Sequence, residues 1–227
     1  METWLFVVEN YDLIFKRTGE HVLLVGVAIG LAILTGVPIG IAITQNKRVA
    51  SIVLYVAAIV MTIPSIAMFG VMIPVLSKFG HGIGYVPAVI AVLLYSQLPI
   101  IRNTYTAINN VEPALREAAR GMGMTAIQRL ISVELPIALP VIMAGVRSAV
   151  VLSIGIMAIA AYIGAGGLGT FISRGISQTD ARQLITGAVA VSLLAILADS
   201  LLLWLQNWMT PVGLKSNPRS TPGASKT

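Results

Sequence analysis

The side chains able to do chemistry are few here, and several of them crowd into one stretch. Glu117-Ala-Ala-Arg-Gly-Met-Gly-Met-Thr-Ala-Ile-Gln-Arg-Leu-Ile-Ser-Val-Glu-Leu-Pro136 carries Glu117, Arg120, Arg129 and Glu134 around Gly121 and Gly123. It does so in a chain that is 56% hydrophobic and only 11% charged. There is no cysteine, which excludes a thiolate metal site, a disulfide framework and a cysteine nucleophile. His21 and His81 are too few and too far apart in sequence for a metal site. Each reads as a polar surface residue, with a pH switch as the rival role. No G-x-x-x-x-G-K-[ST] occurs. Gly164-Ala-Gly-Gly-Leu-Gly169 resembles a phosphate-binding run, but it follows an apolar segment and lacks a lysine. It therefore reads as a structural turn. No catalytic residue and no metal ligand is expected.

The elements that must position these residues are membrane spans. A mean hydropathy of +0.88 is well above that of a soluble domain, and the charged share is less than half the usual one. Five apolar segments stand out: His21–Gln45, Ala50–Ser77, Tyr85–Asn103, Leu135–Gly164 and Gln183–Trp208. A span needs about 20 residues. The third run can continue helically through Thr104–Asn109, and the second and fourth are long enough to tilt or kink. Pro38, Pro64, Pro74, Pro99 and Pro140 each remove a backbone donor within or near a span. Gly26/Gly30 and Gly36/Gly40 are pairs four apart, able to let helices approach closely or simply common in membrane helices. No internal repeat is evident. The start, METWLFVVENYDLIF, lacks the basic n-region of a secretory signal.

The formal charge is +6, but the basic residues lie between apolar spans without a basic stripe. They fit positive-inside topology rather than nucleic acid. With the N-terminus outside, the cytoplasmic side holds Lys47, Arg48, Arg102, Arg116, Arg120, Arg129, Lys215, Arg219 and Lys226. The outer side holds Lys16, Arg17, Lys78, Arg174 and Arg182. That asymmetry gives five spans, N-out and C-in, with Trp204 and Trp208 at the inner interface. Residues 1–20 become an extracytoplasmic segment, 21–208 the membrane domain with a cytoplasmic loop at about 110–136, and 209–227 a cytoplasmic tail, disordered from Lys215 onward.

Within that loop Pro113 suits a first helical position. Leu115, Ala118, Ala119 and Met122 recur at i, i+3, i+4 and i+7 as an apolar stripe, with Glu112, Arg116, Glu117 and Arg120 opposite. Gly121 and Gly123 end the helix, and Thr125-Ala-Ile-Gln128 has the form of a capping box that starts another. A stripe of small residues suggests a helix laid in a groove of another protein; an ordinary interspan loop is the alternative. Inside the membrane, Arg147 and Asp199 are the only charges. Counted from the inner ends of their spans they lie roughly 16 Å and roughly 14 Å deep, so an ion pair holding the fourth and fifth spans in register is expected. Thr62, Ser65, Ser96, Gln97, Ser153 and Tyr162 are polar enough to line a path, or to satisfy helix backbone.

Glu117-Ala118-Ala119, then Gly123, then Val133-x-Leu135-Pro136 resembles the EAA loop of binding-protein-dependent ABC import permeases, with Val133 in place of isoleucine. The resemblance extends from about Thr18 to Leu214. It implies an all-α integral membrane protein with the type I importer permease fold, similar to methionine permeases, in a bacterial inner membrane. Thr18-Gly-Glu-His21, Thr62-Ile-Pro-Ser65, Tyr95-Ser-Gln-Leu-Pro-Ile-Ile-Arg-Asn-Thr-Tyr105 and Ile142-Met-Ala-Gly-Val-Arg147 resemble the osmoprotectant branch, which handles glycine betaine, choline, carnitine and related quaternary amines. A methionine or other amino-acid permease is the runner-up, and an ATP-independent secondary transporter the remote alternative. The resemblance further implies that Pro113–Arg120 is a coupling helix. Leu115, Glu117, Ala118, Ala119, Met122 and Gly123 would meet a separate cytoplasmic ATPase dimer that binds ATP and Mg. The other partners implied are an extracytoplasmic binding protein and a second permease subunit, identical or sister, with lipid around them and no nucleic acid. The chain itself needs no cofactor.

Overall fold

A computed structural model describes residues 2–210. The expected tail at Lys215–Thr227 lies outside the described residues. Among those residues every regular element is helical. In chain order they are α1 (Glu2–Glu9), α2 (Tyr11–Ala42), α3 (Lys47–Thr62), α4 (Ser65–Ser77), α5 (Tyr85–Asn109), α6 (Pro113–Gly121), α7 (Ala126–Arg129), α8 (Leu135–Ile159), α9 (Gly169–Ser177) and α10 (Ala181–Met209). Short 3-10 turns follow α2 at Ile43–Gln45 and α8 at Ala160–Ile163, and a π-turn at Leu130–Glu134 joins α7 to α8.

Local sequence explains the helix starts. Asn46 accepts from the N–H groups of Arg48 (2.9 Å) and Val49 (3.3 Å) to cap α3. Asp180 accepts from the Arg182 N–H at 3.0 Å to cap α10. Such caps satisfy donors that a helix start leaves orphaned. The Arg182 guanidinium beside Asp180 also holds its carboxyl down to about 2, so this cap stays ionised through the ordinary pH range.

Four helical stretches are long and apolar enough to cross a membrane, and a fifth span results if α3 and α4 count as one. The expected span Ala50–Ser77 is in fact broken: α3 and α4 meet at 98°. Ile63 is extended (φ −68°, ψ 127°), as a residue before proline prefers. Its carbonyl accepts a hydrogen bond from the Tyr95 hydroxyl of α5 at 2.5 Å, which satisfies an acceptor that the break removes from the helix ladder.

α5 is the centre of the bundle. Ala88, Ala91, Val92 and Ile100 are fully buried, with Ala28 and Ala32 of α2, Phe69 of α4, and Ala149 and Met157 of α8 around them. Alanines here let backbones approach, which matters because lipid gives apolar side chains no reason to leave it. Of the two glycine pairs, Gly36/Gly40 is a packing face. A Cβ on Gly40 would lie 2.6 Å from Thr104 Cβ and 3.0 Å from the Ile101 carbonyl oxygen of α5. Gly26 and Gly30 face open space. α10 lies at the rim, packed on α8 and α9, and buries only Thr186 and Gly187.

The expectation for His21 is corrected. It is fully buried, with Nε2 3.1 Å from the Ile154 carbonyl oxygen and the ring against Gly167. Its neighbour Glu20 accepts from the Gly167 N–H at 3.2 Å. The Ile163–Gly169 turn thus closes over α2, and its glycines at 164, 166 and 167 adopt positive φ. His81 is exposed.

Candidate functional site

The loop between α5 and α8 is a compact helix–turn–helix. α6 starts on Pro113 and ends at Gly121, where Gly123 takes φ +79° and its N–H donates to the Arg120 carbonyl at 2.9 Å. A glycine there avoids the strain that a side chain would meet in the left-handed region. The next helix starts on a reciprocal cap. The Gln128 N–H donates to Thr125 Oγ1 at 3.3 Å, and the Thr125 N–H donates to Gln128 Oε1 at 2.9 Å.

α6 stands away from the bundle. Only Ala119 is buried, while Leu115 is 41% and Met122 69% exposed, and Glu117, Ala118 and Gly123 are also exposed. The apolar stripe is therefore largely uncovered in the isolated chain. Arg116 departs from the expected polar face. It folds inward and donates from Nη2 to the Ile108 carbonyl at the end of α5, with Nε 3.3 Å from Glu134 Oε1. Arg129 Nε donates to the same oxygen at 2.7 Å.

Glu134, 5% exposed, is counted among the charges of this stretch in sequence but is given no role there. A signal was present: a carboxylate placed directly before an apolar span needs cations close by, and Arg129 stands five residues earlier. In an α-helix that spacing points the two apart. The π-turn, closed by the Leu135 N–H on the Leu130 carbonyl, adds a residue per turn and brings them to one side.

In the membrane, the structure brings Arg147 and Asp199 together. Arg147 Nε donates to Asp199 Oδ1 at 3.0 Å and Nη2 to Oδ2 at 2.9 Å, a two-point contact. Nη1 donates to Gln206 Oε1 at 3.1 Å, and Gln206 Nε2 donates to the Pro140 carbonyl at 3.0 Å. The result is a polar seam along α8 and α10, of which Arg147 and Asp199 line an open cleft of about 710 Å³.

The six expected path residues do not form one surface. Ser96 and Ser153 are fully buried, with their Oγ atoms 3.0 Å apart, and Ser96 donates to the Val92 carbonyl at 2.7 Å. They satisfy each other and the α5 backbone inside the α5–α8 contact. Thr62 is exposed, with its hydroxyl on the Ile59 carbonyl at 2.7 Å, and Ser65 is half-buried just past the α3–α4 break. Gln97 is half-buried and donates to Thr35 Oγ1 at 3.0 Å. Tyr162 is 49% exposed on the turn after α8. Among the described residues no group of three or more His, Cys, Asp or Glu could hold a metal ion.

A bundle with a broken span and a protruding loop helix is what a search for relatives can test. Residues 32–211 match the family described as the binding-protein-dependent transport system inner membrane component. This chain belongs to that family. It is a multi-pass inner-membrane permease of an ABC importer rather than an enzyme. The permease is 54% identical over 215 residues to the osmoprotectant import permease protein OsmW of Salmonella typhimurium, covering 95% of this chain and all of the relative. It is 40% identical over 210 residues to the glycine betaine/carnitine/choline transport system permease protein OpuCB of Bacillus subtilis, covering 92% of this chain and 94% of that one. Its fold matches a chain in an inward-facing structure of the MetNI methionine ABC transporter, with TM-score 0.78 and 24% identity over 89% of this permease and 99% of that chain. That likeness gives the type I importer permease fold and nothing about cargo.

Proposed function

We propose that this permease passes glycine betaine, choline, carnitine or a related quaternary amine inward, powered by ATP hydrolysis on a separate cytoplasmic ATPase dimer. α6 is the coupling helix. The observation that carries this reading is the uncovered face of α6, with Leu115, Ala118 and Met122 exposed beside the Gly123 turn. An apolar stripe on a short polar-backed helix, held away from its own bundle, fits a groove in a partner. ATP binding draws two such helices together, and the spans shift between inward- and outward-facing arrangements around a path shared with a second permease subunit. Thr62, Ser65, Gln97 and Tyr162 border that path, and an extracytoplasmic binding protein delivers the amine.

The kinship in sequence supports quaternary amines over methionine, since the relatives at 54% and 40% identity are osmoprotectant permeases while the methionine transporter shares 24%. Aromatic residues make up only 6% of the chain, too few for a tight cage around a trimethylammonium group, so high affinity belongs to the binding protein. The test is uptake by proteoliposomes containing permease, ATPase and binding protein, supplied with labelled choline, glycine betaine, carnitine or methionine. Uptake of an amine only with ATP is expected. Uptake of methionine alone, or of an amine without ATP, would overturn the reading, as would sub-micromolar amine binding to the purified permease.

A further inference from the structure

We infer that Glu134 is the positioning residue through which displacement of α6 reaches the spanning helices; this rests on the reading of α6 as the ATPase contact. Between α6 and the continuous helical stretch Ala126–Ile163, which runs from α7 through the π-turn into α8, the backbone passes a glycine turn, so the main chain there offers a hinge rather than a lever. The side chains bypass it. Arg116, on α6, stands 3.3 Å from Glu134 Oε1 and donates to the Ile108 carbonyl at the end of α5. Arg129, on α7, bonds the same carboxylate oxygen at 2.7 Å. The Arg116 guanidinium therefore ties α6 to α5 by a hydrogen bond and to the start of α8 by an ion pair.

Packing does not duplicate this link, because α6 buries only Ala119. Nor does the link slip readily. Glu134 is 5% exposed, and an ionised carboxylate that far from water holds its place only with its cations. Pulling Arg116 away would strip its guanidinium of both the carboxylate and the Ile108 carbonyl and leave Glu134 with Arg129 alone, so α8 follows α6 instead of parting from it.

The experiment uses the reconstituted importer and two readouts. One is the number of ATP molecules hydrolysed per amine imported. The other is the separation of spin labels placed by Arg120→Cys, on the side of α6 opposite the apolar stripe, and Val141→Cys in a chain without native cysteine. In the native permease the label separation stays constant when nucleotide binds, since α6 and α8 travel together. Glu134→Gln should raise the ATP cost per import roughly fivefold or more and make the separation nucleotide-dependent, and Glu134→Asp should recover part of both. Arg116→Gln frees α6 while leaving Arg129 on Glu134. It should uncouple to the same degree, and it decides the matter if Glu134→Gln does not assemble. Native stoichiometry with a constant separation in the deciding variant would overturn the inference. If the native importer carried no amine with ATP, the proposed function would fall first. If it did, and the variants stayed coupled, only the Glu134 link would be lost.

Discussion

Asp199 and Arg147 depend on each other. With side chains 39% and 21% exposed on this chain, neither is sealed in protein, yet both stand within spans. Asp199→Asn would leave the guanidinium facing only neutral amide oxygens, at position 199 and on Gln206, at a cost of about 3 kcal/mol for an uncompensated charge at that depth. Thermal unfolding in detergent should show a clear fall in Tm for Asp199→Asn and for Arg147→Gln. The exchanged pair Arg147→Asp with Asp199→Arg should regain part of it; no recovery would deny the pair a role in holding α8 to α10. The glycines offer a paired comparison at the same scale. Gly40→Ala puts a methyl group against Thr104 and the Ile101 carbonyl and should destabilise by about 1–3 kcal/mol through overpacking. Gly26→Ala meets nothing within 4 Å and should be neutral or stabilising by up to about 1 kcal/mol. Equal Tm values for the two would mean that α2 and α5 are not held at this distance.

α6 is the element on which the proposed transport cycle turns. Gly123→Val places a β-branched residue at φ +79°, a strain of about 1–3 kcal/mol that the turn can relieve only by tilting α6. Glu117→Trp puts bulk on its exposed side. Amine uptake by vesicles carrying either variant should fall at least about tenfold, and full-speed uptake with both would end the coupling-helix reading. Much of this element was legible in sequence, because Pro113, the two glycines and the Thr125–Gln128 box act locally and need no tertiary context. Arg116 was not. Its place on the helical wheel is polar, and only the fold reveals that Glu134 and the Ile108 carbonyl lie within reach. The same limit explains His21, whose burial depends on Ile154 and Gly167 far along the chain. It explains α3 and α4 too: Pro64 marks a weak point in an apolar run, but the 98° angle is set by packing against α5.

For the whole molecule, the charge distribution makes its orientation in the membrane testable. On the distribution of lysines and arginines we propose that the loop at 110–136 lies inside and α9 outside. Single cysteines introduced by Ala126→Cys and Gln178→Cys, both at exposed positions, should decide it. In intact cells an impermeant maleimide should label only the second, and in inside-out vesicles only the first; the reverse pattern would invert the topology. The angle between α3 and α4 has a bearing on the rest of the surface. α3 runs for 16 residues from Lys47, about 24 Å, before the chain turns aside, so peptide groups come loose at hydrocarbon depth. Tyr95 occupies one of them, while Thr62, Pro64 and Ile66 stay uncovered on this chain. Fatty acyl tails cannot solvate amides. That flank of the molecule is accordingly no greasy outer wall: it must be wetted, or pressed against another polypeptide, for as long as the bend persists.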